Sequence, residues 1–290
     1  MNKKTVGLLI LLLIYVVSYF AGFGIFILLP TEMHIIIRLL VANVVATIVI
    51  WIFGIFLNTA SIYDPYWSVQ TPVIYLSLMI YYGNYNVGTI LFLGFILLWA
   101  IRLTVNFIIT FNDIKYCDWR YTDLKNKTGK LYQIVNLLGI HMMPTLLVFL
   151  ASIPALLYVI NGCDFEILNI IGYAVILIAV TLEFTSDISI HKFKKIRQSR
   201  SEIINIGLWK YSRHPNYLGE ILFWYGVLFV FIFNNFNYWY VIFGAILVNM
   251  LFLFISIPLA EKKLIGYKEG YEEYKSRTRK LLPIPVRSKD

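Results

Sequence analysis

Arg213 and His214 stand directly before Pro215, and Asn216 and Glu220 follow it, four residues apart. Pro215 suits the first position of a helix, where its missing N–H would have been unpaired anyway. Asn216 and Glu220 then share one helical face. Arg213 and His214 sit at the positive end of that helix, where backbone N–H groups and the helix dipole favour an anion such as phosphate. The whole stretch Gly207–Glu220 also carries Lys210, Tyr211 and Tyr217, and it leads into the apolar run Ile221–Phe233. A helix entering a bilayer needs no such set. Ionisable groups near membrane depth are costly and are read first as functional.

Three more clusters carry chemistry. Glu183, Asp187 and His191 recur every four residues, one face of a helix, and lead into Lys192–Arg200 with five positive charges. Attraction of lysines to anionic lipid accounts for part of that run but not for the acids beside it. The segment Tyr63-Asp64-Pro65-Tyr66-Trp67-Ser68 contains one of only two acids before residue 110. It reads either as an Asp-Pro turn that caps a helix or as a carboxylate lining a pocket with tyrosines. Glu261 opens an aromatic-rich amphipathic tail that suits a bilayer surface. Within the apolar runs, Trp99, Arg102 and Asn106 form a polar stripe at helical spacing, which points Arg102 at a ligand. Arg38 reads equally as a snorkelling residue or a functional one.

The elements that position these groups must be membrane helices. Of the 290 residues 59% are hydrophobic and 14% charged, against roughly 25% charged in soluble domains. Runs of spanning length are Val6–Leu29, His34–Leu57, Tyr66–Tyr82, Val87–Thr110, Ile134–Ile160, Ile167–Phe184, Tyr217–Phe233 and Tyr238–Ala260. The expected fold is therefore all-α, a polytopic transmembrane bundle of about eight helices. Eight spans with both termini cytoplasmic place 23 of the 25 Lys and Arg on one side, including Arg287 and Lys289. The loops on the other side carry none, as the positive-inside rule requires. The first apolar run is too long for a signal-peptide core, and no cleavage site follows it.

The net charge of +9 would raise nucleic acid as a partner of a soluble chain. Here the positive-inside rule accounts for it, so membrane lipid and a lipophilic small molecule are the expected partners, and nucleic acid is not. Cys117 and Cys163 lack metal-ligand spacing and fall on opposite sides of the expected topology, so neither a metal nor a disulfide is expected. There is no internal repeat. Pro144 and Pro154 fall inside the fifth span, either kinking it around a cavity or serving packing.

Gly207-Leu-Trp-Lys-Tyr-Ser-Arg-His-Pro-Asn-Tyr-Leu-Gly-Glu220 closely resembles the cofactor motif of the steroid 5-alpha-reductase-like family. More closely, it resembles that family's bacterial branch, long catalogued as a domain of unknown function. The resemblance extends upstream through Ser186, Asp187, Lys192 and Lys194 and downstream through Glu261, Tyr274 and Leu282-Pro283. Asp64, Trp67-Ser68 and Asp118-Trp-Arg-Tyr121 resemble the branch's N-terminal landmarks.

The resemblance implies a membrane reductase that uses NADPH to saturate a carbon–carbon double bond conjugated to a carbonyl, in a steroid, sterol or other lipid. Asp187, Arg213, Asn216, Tyr217 and Glu220 would hold the dinucleotide, with Lys194 on a phosphate. Arg102, Tyr211, His214 and Glu261 complete the expected cofactor set. Steroid-reducing members polarise the substrate carbonyl with a Glu and Tyr pair that this chain lacks. Asp64, Tyr63 and Tyr66 are the candidates to stand in. The expected organisation is one membrane-embedded domain, residues 1–132 forming the substrate cavity and 133–290 the cofactor site. A bacterial cell membrane is the expected location.

A second family shares the Arg-His-Pro-x-Tyr-x-Gly core and a Glu before a Tyr-rich tail. These are the isoprenylcysteine carboxyl methyltransferases and related phospholipid methyltransferases, which bind S-adenosylmethionine. Asn216, Glu220, the lead from Asp187 and the eight spans favour the reductase. A non-enzymatic transporter or scaffold is the third reading. Transporters usually place polar residues near midplane on broken helices, often in repeats, and here the polar clusters sit at the cytoplasmic ends.

Overall fold

The computed structural model describes residues 2–285, so Arg287 and Lys289 lie outside the described residues. The chain forms twelve α-helices there. The first four are α1 Lys3–Leu28, α2 Ile35–Leu57, α3 Tyr66–Tyr82 and α4 Val87–Thr110. Next come α5 Trp119–Thr128, α6 Tyr132–Val135, α7 Met143–Ile160 and α8 Asn169–Ile196. The last four are α9 Pro215–Ile232, α10 Ile242–Met250, α11 Ile257–Ile265 and α12 Tyr271–Arg277. Among the described residues there is no strand, only an isolated bridge between Ser212 and Arg279.

Among the described residues, seven helical stretches are long and apolar enough to cross a membrane. The eighth expected span forms as α3, but its 17 residues make it the shortest, at the lower limit of what crosses a hydrocarbon core. The span read as Ile167–Phe184 runs on as helix to Ile196, which carries Glu183, Asp187 and His191 along one continuous element.

Two helical stretches contain π-helical turns, Asn136–Met142 and Leu251–Ser256. Each ends just before a proline, Pro144 and Pro258. A proline ring clashes with the carbonyl four residues back and donates no hydrogen bond. Winding one residue wider meets that constraint: Met143 N bonds Leu138 O and Ile257 N bonds Phe252 O, each five residues back.

Contacts divide the chain into two compact units, Met1–Tyr85 with Trp99–Gly162, and Asn86–Leu98 with Cys163–Asp290. Helix α7 belongs to the first unit, where it packs against α3.

In the first unit the helices are tied by buried side-chain hydrogen bonds. Thr47 meets Thr145 at 3.1 Å, Thr71 meets Ser152 at 3.2 Å, and Tyr63 meets Thr145 at 2.8 Å. Such bonds and close packing hold helices together where lipid removes the hydrophobic drive. Arg38 is buried, donates to Phe26 O at 2.8 Å and stacks over the Phe26 ring, so it fastens the end of α1.

In the second unit α8 and α9 lie in backbone contact. A Cβ on Gly172 would stand 2.3 Å from Val230 N, and one on Gly219 would stand 2.3 Å from Glu183 Cγ. Asn169 Nδ2 adds a bond to Val230 O at 2.6 Å. This pair of helices fixes where the motif before Pro215 emerges. Cys117 and Cys163 are both free.

Candidate functional site

In the second unit the site is built where α9 begins. Pro215 is its first residue, and His214 precedes it in a non-helical conformation. The C-terminal tail pins this entry from outside. Arg213 N donates to Arg279 O at 2.9 Å, and Ser212 Oγ donates to Leu281 O at 2.6 Å. The Arg213 side chain turns into the protein and is buried. Its Nε donates to Glu261 Oε1 at 2.8 Å, and its Nη1 to Lys275 O at 3.0 Å and to Thr278 O. His214 Nε2 lies 3.2 Å from the same Glu261 oxygen. Burial pushes the His214 pKa down, against the raising effect of Glu261, so the imidazole is neutral near pH 7 and donates from Nε2.

Beside this knot lies a cavity of about 260 Å³. Asn216 and Tyr217 of α9 face it, with Lys194 of α8, Arg197 just beyond, and Lys268 and Tyr271 of the tail. Arg213 and His214 touch it as well. Tyr271 is 4% exposed and its hydroxyl has no hydrogen-bond partner. Burial, then Glu261, raises its pKa, so it stays a neutral donor. By contrast Tyr274 donates to Trp209 O at 2.5 Å, and Trp209 Nε1 donates to Ser186 O at 3.0 Å. Those two build the wall. Tyr271 has a hydroxyl to offer. An unpaired buried polar group costs about 1–3 kcal/mol, so this one favours a polar ligand.

Of the expected cofactor set, the structure gathers Lys194, Arg213, His214, Asn216 and Tyr217 around this cavity, with Glu261 behind them. Tyr211 is exposed, with the Lys210 ammonium over its ring. Glu220 is buried and accepts from Trp224 Nε1 at 3.1 Å, and Asp187 is half-buried on α8. Neither lines the cavity. Arg102 is half-buried and belongs to the first unit. Tyr271 and Lys268 were not singled out from sequence, and the aromatic-rich tail was their only trace. Arg197 was read only as one charge of the basic run Lys192–Arg200.

The first unit has its own cavity, of about 670 Å³, walled by α1, α2, α3 and the second half of α4. Of the three candidates to polarise a substrate, Tyr66 lines it and donates to Asn43 Oδ1 at 3.0 Å. Tyr63 and Asp64 do not line it. Tyr63 bonds Thr145, and the Asp64 carboxylate accepts from the Tyr121 hydroxyl at 2.5 Å. Burial raises the Asp64 pKa to about 6, opposed by the Tyr121 bond and the Arg120 charge.

Residues 50–278 match the family described as "Protein of unknown function (DUF1295)". That is well over half of the chain, which therefore belongs to this family. No curated protein and no solved structure matches it.

Proposed function

We propose that this DUF1295 protein is a membrane-bound reductase of the steroid 5-alpha-reductase-like kind, drawing on NADPH to saturate a carbon–carbon double bond conjugated to a carbonyl in a lipid. The observation that carries the reading is the cavity at the start of α9. It combines a helix N-terminus, three cations (Lys194, Arg197 and Lys268) and the unpaired Tyr271 hydroxyl. Helix N-termini and lysines suit phosphate, and the cations are those that a 2′-phosphate would add to the demand.

These residues fit an anionic dinucleotide. Asn216 and Tyr271 would hydrogen-bond it, Tyr217 would pack on it, and Lys194, Arg197 and Lys268 would hold its phosphates. Arg213 and Glu261 position: their buried pair anchors the tail so that Tyr271 and Lys268 stay beside α9. When bound, NADPH supplies a hydride, and the protein supplies orientation and a dry surround. In the first unit, a hydrogen-bond donor at the substrate carbonyl would stabilise negative charge developing on its oxygen.

One observation favours a second reading. About 260 Å³ falls below the range of roughly 300–1,000 Å³ common for small-molecule sites. It holds only part of a dinucleotide and suits the smaller S-adenosylmethionine better. Purified protein given NADPH, S-adenosylmethionine and a steroidal enone separates the two. The reductase yields a product heavier by two hydrogens. A methylated product, or no NADPH-dependent product with any enone lipid offered, contradicts it.

A further inference from the structure

We infer that Arg38 holds the phosphate of a membrane phospholipid, one of whose acyl chains lies in the cavity of the first unit. Arg38 stands in the first turn of α2 and is only 5% exposed. Snorkelling would carry its charge out to water. Here the guanidinium folds onto the end of α1 instead. Nη2 donates to Phe26 O at 2.8 Å, and Cζ lies 4.3 Å over the Phe26 ring. Nε is sealed from solvent and bonds nothing. Nη1 bonds no described residue and is not sealed. Among the described residues no carboxylate pairs with this charge. Glu32, the acid in the turn between α1 and α2, accepts from Thr31 Oγ1 at 3.4 Å instead. Burying a charge without a counter-charge is costly, so the structure calls for an anion that the chain does not supply.

Place and geometry define that anion. With Nε sealed, the donors left are on Nη1 and Nη2, a fork that suits two oxygens of one phosphate. Arg38 lies about 5 Å along α2 by the helical rise, and Phe26 is two residues from the end of α1. Both helices have membrane-spanning length and composition, so the guanidinium stands near the level of lipid headgroups. In the expected topology the four turns on this side, near 31, 83–86, 161–166 and 234–237, carry no Lys or Arg. A buried arginine here is therefore not one of the charges that orient the chain. Tyr82, 42% exposed, lies within its electrostatic reach and brings a hydroxyl to the same level.

The cavity says which molecule carries the phosphate. It runs beside α1 from Leu8 to Phe26, about 27 Å by the helical rise. Phe26, under the guanidinium, and Leu39, next to Arg38 in sequence, line its near end with Tyr81. The hydroxyls on its wall are engaged within the protein: Tyr15 with Ile62 O, Tyr19 with Ser77, and Thr104 with Ser68. What it offers along its length is apolar surface. Its rim includes Phe20 and Ile80, both over 60% exposed, so it opens to lipid. A free phosphate ion has no use for such a groove, whereas a phospholipid fills it with a chain. The inference is independent of the reductase reading.

The test uses full-length protein with carbon-13 at arginine Cζ, in dioleoylphosphatidylcholine vesicles, and reads carbon–phosphorus dipolar dephasing by solid-state NMR. The Arg38 signal is the one lost in Arg38→Lys. Arg38→Gln, which keeps a donor for Phe26 O, gives the same assignment if the lysine variant fails to fold. In the wild type the Arg38 signal should be dephased by lipid phosphorus. In vesicles of a phosphorus-free galactolipid it should keep its full intensity, and added inorganic phosphate should leave it so. No dephasing in phosphatidylcholine overturns the inference, whatever becomes of the variants. Dephasing by inorganic phosphate in the galactolipid overturns it too, by showing a site for a free anion. The chain is tested with a phosphatidylcholine carrying a diazirine halfway along one acyl chain, diluted into the galactolipid. It should crosslink to cavity residues of α1, α2 or α3. In Arg38→Gln that labelling should fall about tenfold, the worth of one charge-assisted hydrogen bond. Labelling that misses these helices, or that is unchanged in the variant, overturns the assignment of the chain to this cavity.

Discussion

Asn216 faces the cavity at the start of α9, and Glu220, one turn further on, does not. Their spacing placed them on one face, but Glu220 meets Trp224 instead of open space. The two variants should therefore part company. Asn216→Ala should weaken NADPH binding by roughly five- to 150-fold, the effect of about 1–3 kcal/mol, with its melting temperature little changed. Glu220→Ala, which leaves Trp224 Nε1 without this acceptor, should lower the melting temperature and leave NADPH affinity per folded molecule unchanged. Titration and melting on the same samples check both.

Asp64 gives a prediction in pH. Its folded pKa of about 6 stands above the usual 3.8. Between those values the folded state holds a proton that the unfolded chain has released. The stability this group contributes is complete below about pH 4 and is lost as pH rises through 6. Asp64→Asn removes the titration, so the melting temperature should fall less between those pH values than in the wild type. An unchanged profile would show that Asp64 is solvated.

At the scale of elements, packing depends on a few close approaches. Gly172→Ala would set a methyl carbon against the Val230 backbone, which no rotamer change relieves. Overpacking of this kind typically costs about 1–3 kcal/mol. A clear drop in melting temperature is expected, and a neutral outcome would mean that α8 and α9 can separate freely. The membrane-length helices were legible in sequence because each contains a long apolar run, whereas the short polar helices α5 and α12 do not. For α8 the apolar span was read to Phe184 and a polar helical face on to His191, and the helix ends at Ile196, because charges at Asp187 and Lys192–Lys195 end an apolar run without ending a helix. What sequence could not show was pairing across helices. Asn43 and Gln70 are 27 residues apart and look like isolated polar residues in apolar runs. Arg213 looked like a phosphate ligand at a helix start. Its partner Glu261 lies 48 residues on, and only the folded tail brings them together.

For the molecule as a whole, the charge distribution makes the most general prediction. The prediction is that both termini and the segments 111–133 and 186–213 face the cytoplasm, because 23 of 25 basic residues then share one side. Single cysteines at Lys125 and Arg200, in a Cys117→Ser, Cys163→Ser background, should resist a membrane-impermeant thiol reagent added outside cells. Labelling from outside would reverse the topology. The central claim is that the cavity beside Pro215 takes NADPH. Its most direct test is isothermal titration of the purified wild-type protein with NADPH and, separately, with S-adenosylmethionine. The account predicts saturable NADPH binding, weakened in Tyr271→Phe, and no heat from the methyl donor. Saturable S-adenosylmethionine binding with no response to NADPH would contradict it.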